Sequence, residues 1–148
     1  MLHPSNIRRV VITLLVATAA VASAQDAGSS ATRAETEPIW VARLFLIAVG
    51  DGEAAKAARV FHDGGRVQRS EDELTGEAIT GWLERMVADE ERFFVKANCV
   101  ADSVVTIDAV EGTQSGDERP VRLVFHTSEG YIDLLEVRNR EASELCDE

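Results

Sequence analysis

The sequence predicts an α+β domain, with three helices near the start of the folded region packed on one face of a mainly antiparallel sheet. Apolar residues recur at helical spacing up to about residue 91, and at Phe93 the pattern changes to β-branched, strand-length runs. Turn-prone stretches, "DS", "GTQSGDE" and "SEG", separate those runs. Helices first and hairpin-linked strands afterwards is the order such a domain requires.

The elements follow in order. Arg8 and Arg9 precede the apolar run "VVITLLVATAAV", which ends in "ASA" before Gln25. That layout predicts a secretory signal over residues 1–24, cut after Ala24, and an extracytoplasmic (periplasmic or secreted) protein. The rival reading, a membrane anchor, needs roughly 20 apolar residues, more than this run holds. No Cys follows the cut, so lipid anchoring is not indicated; the Arg-Arg pair leaves the general and the folded-protein export routes both open. Residues 25–36, "QDAGSSATRAET", read as a flexible lead-in.

The domain proper spans 37–139, with a tail over 140–148. Pro38 suits a first helical turn, and "IWVARLFLIAV" is apolar nearly all round, so it should be covered on most sides. "GDG" at 50–52 stops it, and "EAAKAARVF" follows as a second helix. A third runs from about Thr75, its N-cap, to Glu91, with Ile79, Trp82, Leu83 and Met86 on one stripe. "FFVKANCVA", "VVTIDAVEG", "RPVRLVFHT" and "YIDLLEVRN" are the strands.

Without its leader the chain keeps 13 basic residues against 26 acidic ones, a net −13. Such a charge repels phosphate backbones and anionic lipid, so nucleic acid is excluded as a partner, and so is a membrane after signal cleavage. Cys99 and Cys146 are the two cysteines. An even count in an oxidising compartment, with no C-x-x-C, predicts a disulfide that tethers the tail.

The pattern "RLFLIAVGDGEAAKAARVFHDGGRV", then "LTGEAITGWLERM", then "VRLVFHTSEGYIDLLEV", resembles the nuclear transport factor 2-like superfamily. Its members include SnoaL-like polyketide cyclases, ketosteroid isomerases and limonene epoxide hydrolases. The resemblance spans about residues 38–138. It implies a cystatin-like cone, a curved sheet wrapped around helices with an apolar pocket at the open end. It also implies dimerisation through the sheet's outer face. In isomerase-like relatives the general base is an acid on the strand after the second helix. Here that strand reads "GRVQR", and Gln68 and Arg69 stand at the nearest positions. Neither accepts a proton at ordinary pH.

Catalytic candidates are therefore few. An epoxide-hydrolase-like relay would draw on Arg122 with Asp108 or Asp133. A two-residue turn at Glu129-Gly130 would set His126 opposite Asp133, a base and its orienter; a three-residue turn would set Arg122 opposite Glu136, an ordinary ion pair. His62, at the end of the second helix, is explained by the helix dipole. Pocket-lining candidates are Trp40, Arg69, Trp82 and Arg122, the tryptophans doubling as core residues. "SEDE" reads as solvated loop, and nothing has metal-ligand spacing or suggests a cofactor. Three functions follow as expectations: a non-catalytic homodimer binding a small apolar ligand or a protein partner; a SnoaL-like isomerase, cyclase or hydrolase acting on a small hydrophobic substrate; or an acidic surface docking a basic protein.

Overall fold

A computed structural model describes residues 37–113, 116–141 and 144–146. The leader and the lead-in over 25–36 lie outside the described residues. The chain runs α1 (Pro38–Gly50), α2 (Ala54–Ala58), β1 (Phe61–Arg69), β2 (Asp72–Thr75), α3 (Glu77–Ala88), β3 (Arg92–Ala101), β4 (Val104–Gly112), β5 (Glu118–Ser128) and β6 (Tyr131–Asn139). The architecture is mixed α+β, with one curved six-stranded sheet in the order β2-β1-β6-β5-β4-β3. All neighbours are antiparallel except β1 and β6, which are parallel.

The four late strands stand where the β-branched runs predicted them. The earlier part differs. β1, which contains the "GRVQR" strand the resemblance implies, and β2, which was not expected, come between the second and third helices. The "SEDE" stretch is exposed as expected, but only Ser70 and Glu71 form the turn: Asp72 and Glu73 pair with Arg69 and Gln68 at the edge of the sheet. α2 stops at Ala58, because Phe61 is already paired with Ile132 of β6, and the Ile132 N–H donates to the Val60 carbonyl at 2.9 Å. Thr75 ends β2 and does not cap α3, whose N-cap is Gly76 at φ 52°.

α1 buries Val41, Ala42, Phe45, Ala48 and Val49 along one stripe. The expected cover on most sides is present: of its 13 residues only Arg43 and Ile47 are exposed, four apart on one side. Phe45 stands edge-on to Phe61 (centroids 5.8 Å) and to Phe125 (5.7 Å), which locks α1 to β1 and β5. Ile79, Trp82, Leu83 and Met86 of α3 are all buried, as their spacing predicts. The inner face of the sheet supplies Val67, Val105, Ile107, Val121, Leu123 and Leu135 to the same core. Gly64 (φ +83°) and Gly65 sit in a bulge between Phe61 and Arg66. A Cβ at Gly65 would meet two backbone carbonyl oxygens at 2.9 Å, so only glycine fits that bend.

The tail folds back. Cys99 and Cys146 form the expected disulfide, with Cα atoms 6.2 Å apart. Cys99 pairs with Thr106, which shares a face with Asp108 and not with the core residues Val105 and Ile107. The tail therefore lies on the outer face. No described helix is long and apolar enough to cross a membrane.

Candidate functional site

Strand alternation places Gly65, Val67 and Arg69 on the inner side of β1. Arg69 is its last residue, and its guanidinium lies over the Trp82 ring of α3, 5.3 Å from the ring centre. Its Nη2 donates to Glu111 Oε1 of β4 at 3.3 Å. Strands β6 and β5 stand between β1 and β4. Three inter-strand steps would span about 14 Å on a flat sheet. The two long side chains therefore reach towards each other across the inner face of the sheet, over β6 and β5. Arg119, directly opposite Glu111 on β5, donates to Glu111 Oε2.

Glu111 is only 4% exposed, whereas the side chains of Arg69 and Arg119 are 27% and 51% exposed. A buried acid is thus held at one end of the inner face by two cations that water still reaches. The indole N–H of Trp82 is buried without a partner. Chemically this is a gripping site, poorly suited to proton transfer. Both carboxylate oxygens already accept from guanidiniums, and arginine keeps its proton. Gln68 is not available either, since its amide donates to the Ser70 carbonyl at 3.2 Å.

The remaining candidates separate. Arg122 is not in the hollow: it pairs with Asp108 across β4 and β5 on the outer face, Nε to Oδ1 at 2.7 Å and Nη2 to Oδ2 at 3.0 Å. The tail covers Asp108 completely, and the Cys146 N–H donates to its Oδ2. Arg140 Nε stands 3.8 Å from Oδ1 and donates to the Val121 carbonyl. The hydrogen bonds from Arg122 hold the Asp108 carboxyl below its ordinary value, against the opposing effect of burial. Asp108 and Arg122 do come together, but as a sealed pair.

Neither predicted register of the last hairpin occurs. The turn is the two-residue one, with Glu129 at φ 52° and Gly130 at φ 84°. Asp133 is then an extra residue on β6, so Thr127 faces Ile132 but His126 faces Leu134. His126 Nε2 lies 3.1 Å from Glu136 Oε2, while Arg138 donates to Oε1 at 2.7 Å. Burial raises the Glu136 carboxyl, and these two neighbours outweigh it, leaving it below its ordinary value. Arg122 faces Arg138, not Glu136. Trp40 sits half-buried in the first turn of α1, its indole N–H also unpartnered.

Two features escaped the sequence. Glu111 shares the strand parity of Val105, Ile107 and Ala109, so an acid on the core-facing row of "VVTIDAVEG" was the readable signal. The second is a surface cleft of about 600 Å³ at the start of β1 and β6, lined in part by Arg59, Phe61, His62, Asp63 and Tyr131. His62 belongs to β1, not to a helix end, so the dipole explanation fails. Its Nδ1–H donates to the Asp63 carbonyl at 2.9 Å and its ring meets Tyr131 edge-on. The Asp63 carbonyl, and then the charges of Asp133, Asp63 and Glu129, raise its pKa against a smaller effect of burial. Among the described residues no group of three or more His, Cys, Asp or Glu side chains is placed to hold a metal ion.

No family profile matches the chain, and no curated protein matches it in sequence. Solved structures do. A nuclear transport factor 2-like protein of unknown function from Cytophaga hutchinsonii superposes with TM-score 0.63 at 14% identity, covering 70% of this chain and 89% of its own. A putative polyketide cyclase from Sinorhizobium meliloti gives 0.60 at 16% identity, over 66% and 93%. An epoxide hydrolase/cyclase-like enzyme of pyran ring formation in the polyether salinomycin gives 0.63 at 14%, over 70% and 90%. The chain has the nuclear transport factor 2-like fold that the SnoaL-like proteins share. Likeness at these identities defines the fold and leaves the chemistry to the site.

Proposed function

We propose that this is an exported domain that binds a small apolar ligand in the hollow of its sheet and does not turn it over. One observation carries the reading: of Gln68 and Arg69, the positions nearest the base that the resemblance implies, neither accepts a proton, and Arg69 is tied to Glu111 and seated on Trp82. A cation there can hold a ligand but cannot abstract its proton. His126 and Asp108, the other candidates for chemistry, are on the opposite face of the sheet. Export rests on the leader, and homodimerisation on the apolar residues of the outer face that stay accessible, exposed Phe94 and half-buried Leu134.

The test is native mass spectrometry of protein recovered from the exporting cell, alongside turnover assays with a 5-en-3-one steroid and a cyclic epoxide. The expected result is a chain beginning at Gln25, a bound small molecule, and no turnover. Turnover that Glu111→Gln abolishes would replace this reading with the isomerase, cyclase or hydrolase one. A protein occupant in place of a small molecule would appear as salt-sensitive capture of a basic partner.

A further inference from the structure

We infer that the cleft at the start of β1 and β6 is a second binding site, one that takes a small amphipathic amine in its cationic form. It lies at the end of β1 opposite Arg69, and goes beyond the ligand role proposed for the hollow. Its volume, about 600 Å³, falls within the roughly 300–1,000 Å³ of small-molecule sites. The walls come from four elements. α2 presents Ala55 and Ala58, three apart and so on one side of the helix, and their small side chains leave the space open. Phe61 of β1 and Tyr131 of β6 supply ring surface, the first 9% exposed and the second 46%. Thr80 of α3, with Arg59, His62 and Asp63, supplies the polar groups.

The charge around the cleft selects the ligand. Among the described residues no hydrogen bond or ion pair takes up the Asp63 carboxylate. His62 reports the local field. Its Nδ1–H donates to the Asp63 carbonyl at 2.9 Å, and its ring stands edge-on to Tyr131, centroids 5.8 Å apart. That carbonyl, and then the charges of Asp133, Asp63 and Glu129, draw the imidazole toward its charged form against the effect of burial. A field that favours an imidazolium also favours an ammonium. Tyr131 adds the negative face of its ring, and the protein's net charge of −11 draws cations to the same surface. Arg59, on the α2 side, is the opposing charge. The ammonium therefore sits against Asp63 and Tyr131, with the ligand's apolar body on Ala55, Ala58 and Phe61. His62 competes with it, since both positive charges draw on the same three acids. Binding is thus linked to the His62 proton: affinity rises as pH climbs through the raised His62 value and leaves those acids to the ligand.

The probes are 2-(4-fluorophenyl)ethylamine, its uncharged analogue 2-(4-fluorophenyl)ethanol and the anion 4-fluorophenylacetate. Each is titrated into the full exported protein at about pH 8, where the amine is charged, and followed by fluorine NMR. The amine should bind saturably, about fivefold tighter than the alcohol, the combined worth of an exposed ion pair and a cation–π contact. The carboxylate should bind weakest. Asp63→Asn should weaken the amine about threefold and leave the alcohol unchanged, Arg59→Met should tighten the amine, and Ala55→Leu should block both. From about pH 6 to about pH 9 amine affinity should rise a few fold, and in His62→Gln it should stay flat. All four substituted residues are exposed, so these variants leave the fold intact. A carboxylate that binds as tightly as the amine overturns the cation assignment. An amine Kd unchanged in both Asp63→Asn and Ala55→Leu, or no saturable amine binding by about 5 mM, overturns the site itself.

Discussion

Replacing Arg122 with methionine should destabilise the fold far more than loss of a surface arginine would. Asp108 is fully buried and takes two of its hydrogen bonds from Arg122, at 2.7 and 3.0 Å. With Arg122 gone, the Cys146 N–H and Arg140 at 3.8 Å remain. Breaking one partner from a buried pair costs about 3–5 kcal/mol, and the two surviving partners put this case near the lower end, about 3 kcal/mol. For a domain of this size that is a fall in Tm of about 10–15 °C. Urea unfolding followed by circular dichroism at neutral pH gives the number, with m-values compared across variants. The double variant Asp108→Leu/Arg122→Met should recover most of the loss, since a buried ion pair replaced by apolar groups is often neutral. A single variant within about 1 kcal/mol of the parent would refute the argument, because it would mean Asp108 is not dependent on its partner. A double variant as unstable as the single would refute the claim that the stranded charge is the cause.

Four further outcomes can be checked. Reducing the disulfide, which closes a 47-residue separation, should remove up to about 4 kcal/mol in the chain-entropy account; non-reducing mass spectrometry should find no alkylatable thiol. Asp108 and Glu136 both have folded pKa values below their ordinary ones, so their contribution is complete above the ordinary carboxylate range and is lost as pH falls through the depressed values. Acid unfolding should show that loss, and Arg122→Met should show less of it. Gly65→Ala should cost about 1–3 kcal/mol, since its Cβ meets two backbone oxygens at 2.9 Å, whereas Gly50→Ala, with nothing within 4 Å, should be neutral or stabilising in thermal melts. Light scattering at tens of micromolar should give a dimer mass that Phe94→Asp, on the exposed outer row of β3, converts to monomer.

The four late strands were legible because each is a run of β-branched residues closed by turn chemistry, and nothing distant competes with that local signal. The Ile79-Trp82-Leu83-Met86 stripe was legible for the same reason. Where the reading failed, a distant partner decided the outcome. The alanine-rich segment has helical propensity to its end, yet the chain leaves the helix at Ala58 because Phe61 is needed between Phe45 and Ile132. "DELT" has no strand signal of its own and becomes β2 only because β1 offers it an edge.

The site was less legible than the fold, and the last hairpin shows why. The turn residues Glu129-Gly130 were read correctly, and with an even ladder they would have put His126 opposite Asp133. One extra residue on β6 removes Asp133 from that ladder and leaves its charge acting on His62 instead. His126 then pairs with Glu136, whose other oxygen is taken by Arg138. A base and its orienter become a three-membered hydrogen-bonded cluster on the outer face. The same logic applies inside the hollow. Arg69 was chosen for its place on the strand, but its partner Glu111 lies 42 residues away and three strands across. Parity along a strand can be counted from sequence, whereas a bulge, or the sheet order that lets Arg69 of β1 reach Glu111 of β4, cannot. Those two features decide which acids meet which bases, and here they bring Arg69 and Arg119 to Glu111 on the inner face and lock Asp108 with Arg122, and His126 with Glu136, into the outer one.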